Sequence, residues 1–176
     1  MSSTSNPQPS NIKISSGGKK ITLIPNGFSS TTPSQDFINL QWVFNNYPHS
    51  DINLEEGTFH ISQMVEAPGY QGRIKGRGKD KTFVVGRGPL VNGLYEFPLL
   101  DADQAARLYP SRVPHLLWFH AVAGDVNNWK QDGVDLELKD LTIRLDGVGP
   151  MITLYQQPLR SIWTFIIVTG WDATLD

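Results

Sequence analysis

The chain predicts an all-β fold, a solenoid of short strands, on three observations. Charged residues make up 18% of its 176 positions, where soluble domains usually carry about 25%. Solvated helices are therefore not the main material. With 16 Gly and 12 Pro, the chain has more turn formers than an average domain. The third observation is a change of parity. Val134, Leu136 and Leu138 alternate on even positions, whereas Leu141, Ile143 and Leu145 alternate on odd ones. Two strands thus meet at Lys139-Asp140 with their apolar faces on the same side. No Asn-Gly or Asp-Gly marks that bend as a hairpin. A chain of such strands keeps winding in one direction and stacks its apolar side chains inward. A β-sandwich is the rival arrangement of the same strands.

Residues 1–19 read as a flexible tail, because the Ser, Asn and Pro of MSSTSNPQPSNI bury too little apolar surface to offset the entropy of ordering. Residues 20–49 hold an entry strand, Ile21 to Ile24, and the one good helix. Thr32-Pro33-Ser34-Gln35 fits a capping box with Thr32 as N-cap. Phe37, Leu40 and Phe44, with Trp42 and Val43, supply the apolar stripe. From residue 50 to 176 the period is two. Ile52 and Leu54, Phe59 and Ile61, Thr82 to Val85, Leu116 to His120, Met151 to Tyr155 and Ser161 to Val168 all read as strands. An irregular insertion interrupts them at about 98–114.

The segments FINLQWVFNN, DINLEEGTFHIS and GRIKGRGKDKTFVVG, together with DGVDLELKDLTIRLDG, resemble the amino-terminal part of pectin-lyase-like, right-handed parallel β-helix proteins. The likeness covers roughly residues 34–90 and 115–147. It implies a right-handed parallel β-helix whose amino-terminal end is plugged by the helix, with three or four coils from about Ile52. It also implies the front section of a longer carbohydrate-active protein, a polysaccharide lyase or hydrolase, and an extracellular setting. On that reading the carboxyl-terminal coil lacks a cap and offers an edge for self-association. The section is structural or glycan-contacting and does not turn over substrate alone. A complete small lyase or hydrolase, and a non-enzymatic surface or adhesion solenoid, are the alternatives.

Several chemistries are excluded by composition. Without cysteine there are no disulfides, thiolate nucleophiles or zinc-thiolate sites. A net charge of −2 gives no bulk basic field for nucleic acid or an anionic membrane. Apolar runs such as Leu116 to Phe119 are far too short to span a bilayer as a helix.

Paired acids can serve glycoside hydrolysis as acid and base, and the candidates are Asp101 with Asp103 and Asp132 with Asp135. A calcium-assisted lyase would gather oxygens such as those of Asp125 and Asp132 around the ion, with Lys130 as base. No metal is otherwise expected. Asp101 and Asp103 otherwise read as solvated acids of the insertion, and Asp132 and Asp135 suit the turn at a strand entry. Gly76-Arg77-Gly78-Lys79 lacks the P-loop spacing and reads as a turn. Arg73-Ile74-Lys75 matches a short polygalacturonase element, but the family's Asn-Thr-Asp, Asp-Asp and Gly-His-Gly elements do not precede it. The match carries nothing. His49, His60, His115 and His120 have no metal spacing. If Leu117 and Phe119 point inward, Trp118 and His120 point outward, where an indole could stack on a sugar. These two are the substrate-binding candidates.

Overall fold

The computed structural model describes residues 9–107, 115–120, 135–146, 152–154, 166–168 and 172–175. Strands β1 (Ile12–Ser15) and β2 (Lys20–Leu23) precede helix α1 (Gln35–Asn46). Strands β3 (Asp51–Leu54), β4 (Gly57–Ile61), β5 (Val65–Pro68), β6 (Gln71–Lys75) and β7 (Thr82–Gly86) follow. Next come a hairpin of β8 (Leu90–Val91) and β9 (Leu94–Tyr95), and a short helix α2 (Ala102–Arg107). The last strands are β10 (Leu117–His120), β11 (Asp135–Lys139), β12 (Leu141–Leu145), β13 (Ile152–Leu154), β14 (Ile166–Val168) and β15 (Asp172–Leu175).

The expected all-β right-handed parallel β-helix, cut off after three or four coils, is corrected by this arrangement. The fold is mixed α/β, with several small parallel and mixed sheets instead of one solenoid. A five-stranded sheet runs β1-β2-β3-β6-β11, and a four-stranded one runs β15-β12-β7-β4. Two-stranded pairs complete the set, β10 with β5, β13 with β14 and β8 with β9. Parallel ladders join β3 to β6, β6 to β11, β4 to β7 and β7 to β12. Antiparallel ones join β1 to β2, β12 to β15 and β13 to β14. The physical reason for the discrepancy is that period-two alternation marks a strand and its wet face but does not choose the strand it pairs with. The bend at Asp140 exists, with φ at +56°, a conformation that Asp tolerates better than most residues.

Helix α1 packs into the same core as the strands. Its Leu40, Val43 and Phe44 are buried together with Ile21, Ile52, Ile61, Ile74 and Phe119. Phe44 meets Tyr70 and Phe119 edge-on, at 5.0 and 5.7 Å between ring centres. The helix begins two residues later than the capping-box pattern predicts. Ser34 is the N-cap, accepting from the Phe37 N–H. Tertiary bonds draw it there, since its hydroxyl also donates to the His60 carbonyl and its N–H to the Ser62 hydroxyl.

The side chains of α1 also stand in for a strand at two sheet edges. The N–H of His60 on β4 donates to Asp36 Oδ2 at 2.8 Å, while its carbonyl takes the Ser34 hydroxyl. On β5, the Gln41 amide both donates to the Glu66 carbonyl and accepts from the Glu66 N–H, at 2.8 and 2.9 Å. Edge groups that would otherwise be open are thus satisfied. The tail expectation is corrected as well: residues 12–15 form β1, held antiparallel on β2. The insertion contains α2, and its residues 108–114 lie outside the described residues.

Candidate binding face

Alternation in the five-stranded sheet sends Ile21, Leu23, Ile52, Leu54 and Ile74 into the core. The intervening side chains make the opposite face. Register aligns them into rows that cross the strands. One row runs Ser15, Lys20, Asp51, Arg73 and Glu137; the next runs Lys13, Thr22, Asn53, Lys75 and Lys139. Neighbouring strands lie about 4.8 Å apart, so each row presents polar groups at a regular spacing.

The two rows carry more positive than negative charge, with Lys13, Lys20, Arg73, Lys75 and Lys139 against Asp51 and Glu137. Arg73 donates its guanidinium to Asp51 Oδ2 at 2.8 Å and its backbone N–H to Oδ1 at 3.1 Å. Lys75 reaches Asp140 at 3.4 Å and Lys139 reaches Glu137 at 3.7 Å. Among the described residues Lys20 has no ion-pair partner. Beside the rows, Arg77 grips Glu55 through two bonds of 2.9 and 2.5 Å. Those bonds hold the Glu55 carboxyl below its ordinary range, and Lys13 adds a weaker pull.

A shallow cavity of about 260 Å³ opens on this face between Asp51, Gly72, Arg73 and Glu137. Gly72 lacks a side chain for a packing reason on the core side of its strand. A Cβ on Gly72 would come within 2.5 Å of the Ser50 carbonyl and 2.9 Å of the Tyr70 hydroxyl. That hydroxyl is itself fixed by donating to Ser50 O at 2.7 Å, and burial pushes its pKa upward. Gly72 shares the parity of core Ile74, so this tight packing lies on the inner side of β6, beneath Arg73.

A second polar cluster has catalytic residue types without catalytic geometry. Ser34, Asp36 and His60 are each nearly inaccessible. Serine bonds the histidine carbonyl and aspartate bonds the histidine N–H, so neither touches the ring. Ring atom Nδ1 accepts from the Ser29 N–H, so Nε2 carries the proton and donates to Arg87 O at 2.7 Å. Asp36 Oδ1 takes both the N–H and the amide of Asn26. Burial pushes the Asp36 carboxyl up, against the pull of these bonds. Every lone pair that matters is used within the fold. This is scaffolding.

The sequence candidates fall elsewhere. Trp118 is only 2% exposed, and Leu116, Leu117 and Phe119 beside it are buried too. Both faces of β10 are covered, so the expected outward indole is corrected: Trp118 is a core residue and offers no platform to a sugar. His120 pairs through its backbone with Pro68, and its side chain lies outside the described residues. Asp101 caps α2, exchanging bonds with Gln104 of 2.8 and 3.1 Å, and Asp103 sits in the first turn of that helix. Asp125, Lys130 and Asp132 lie outside the described residues, and Asp135 is described only as backbone in β11. Sequence reading sets aside Arg73 and Lys75 as a chance motif match and passes over Asp51. Their alternation with buried Ile74 and Ile52 was visible, but the register that aligns them was not.

Among the described residues no group of three or more His, Asp or Glu could hold a metal ion, and no helix is long and apolar enough to cross a membrane. No family model, curated protein or solved structure matches the chain.

Proposed function

We propose that this chain is a binding module for an acidic polysaccharide, which lies across the strands on the outer face of the five-stranded sheet and is not cleaved there. The observation that carries this reading is the cationic surplus of the two aligned rows, from Lys13 and Lys20 through Arg73 and Lys75 to Lys139. An extended polymer with a carboxylate on each unit meets Lys20 and Arg73 two strand spacings apart in one row, and Lys75 and Lys139 one spacing apart in the other. Arg73 supplies a planar fork suited to a carboxylate. Thr22, between the cations, offers a hydroxyl to the sugar hydroxyls. Binding without cleavage fits the acids present. Asp51 faces Arg73 in an exposed ion pair, a charge-pairing role and not a proton-transfer one.

Calorimetric titration at low salt with an oligouronate, and with its neutral counterpart of equal length, tests the reading. The acidic chain is expected to bind and to weaken as salt is added. Changing Arg73 and Lys75 together to alanine should weaken it by about tenfold or more, which corresponds to roughly 1.4 kcal/mol, with Tm nearly unchanged. Absence of binding, or equal binding of the neutral chain, overturns it.

A further inference from the structure

We infer that Asp51 is a built-in competitor for the ligand, a specificity residue that occupies Arg73 until a better-placed carboxylate replaces it. The inference rests on the reading of this face as an acidic-polysaccharide site and goes beyond it by assigning a role to an acid that opposes binding.

Among the described residues the cavity is lined by Asp51, Gly72, Arg73 and Glu137, so the one cation among them stands between two acids. Register puts Asp51 on one side of Arg73 and Glu137 on the other. The guanidinium reaches Asp51 Oδ2 at 2.8 Å, and Glu137 is turned to Lys139 at 3.7 Å. Arg73 and Asp51 are both close to half exposed, with side-chain accessibilities of 45% and 43%. An ion pair this wet is weak and exchanges readily with an incoming anion. The backbone N–H of Arg73 also donates to Asp51 Oδ1, which keeps the acid near the fork without locking the fork to it.

This geometry sets a threshold. A single carboxylate in solution gains little by displacing Asp51, because it exchanges one exposed ion pair for another. A polymer pays the same local cost once while its other carboxylates engage Lys20, Lys75 and Lys139. Asp51 therefore discriminates against small organic acids and in favour of chains.

The experiment compares wild type, Asp51→Asn, Arg73→Ala and the double variant by titration with an oligouronate and with the free monosaccharide uronate. Asparagine keeps the shape and an acceptor for the Arg73 N–H while removing the charge. Asp51→Asn should bind the oligomer several-fold more tightly and bring the monomer into the measurable range. Arg73→Ala should weaken the oligomer, and the double variant should bind like Arg73→Ala alone, since the competitor matters only while its target exists. If wild type binds the oligomer but Asp51→Asn binds equally or less tightly, the competitor role is wrong and the face reading stands. If the gain survives in the double variant, it is generic charge removal, which also overturns the role. If no variant binds any oligouronate, the face reading itself falls.

Discussion

Two regions of this molecule use similar side chains to opposite ends. At the helix start, Ser34, Asp36 and His60 are buried and saturated by backbone donors and acceptors. On the outer face of the five-stranded sheet, Asp51, Arg73, Lys75 and Lys139 are wet and paired in exposed ion pairs. A serine, a histidine and an aspartate near one another attract mechanistic attention, yet here they have no valence left for a substrate. The less conspicuous charged rows have it. Residue type suggests chemistry, but unspent hydrogen-bonding capacity decides it.

The contrast predicts that changes in the interior alter stability and leave binding per folded molecule intact. The largest effect belongs to Trp118→Ala, which should cost about 3–5 kcal/mol as a large core truncation, read by urea unfolding. Oligouronate affinity of the folded fraction should not move. A stable variant with weakened binding would instead put the indole on the binding surface and break the comparison.

Asp36→Asn comes next. It leaves one donor of Asn26 or His60 facing an amide N–H, at a cost of about 1–3 kcal/mol. Its pH dependence sharpens the point. Burial raises the folded-state pKa of Asp36, so its contribution is full below the unfolded-state value and is lost as pH rises through the folded-state value. The stability gap between wild type and Asp36→Asn should accordingly narrow with rising pH. A gap that widens would mean that the hydrogen bonds outweigh burial.

Glu55→Gln should produce the smallest change. Arg77 lowers the Glu55 pKa, so that stabilisation is present above the unfolded-state value and disappears as pH falls through the folded one. The pair is well exposed, and solvent screening leaves it little weight. A Tm shift near the scatter of the measurement is expected at neutral pH and none at strongly acid pH. A shift as large as that of Asp36→Asn would show that the exposed pairs are structural after all.

The sequence made α1 legible, because its apolar stripe is local, but placed the cap at Thr32. The bonds from Ser34 to His60 and Ser62, which fix the true start, span most of thirty positions. Strands were legible for the same reason as the helix, and their partners were not. The misreading of Trp118 came from assuming that one face of its strand is wet; alternation says nothing when both faces are buried. Arg73 was visible as an exposed strand residue. Its meaning depends on Asp51 and Glu137, which only the sheet register brings beside it.

The side chains with which α1 and its cap close β4 and β5 have a consequence for strand pairing. Strand addition is a templated process, in which each open edge recruits the next segment. At these two edges the template is already read out, by Asp36 and Ser34 on one and Gln41 on the other. The remaining edge on that side, β1, is four residues long and bears Lys13, features that discourage further pairing. Further strands are therefore refused at β4 and β5, where helix α1 acts as a stop to pairing.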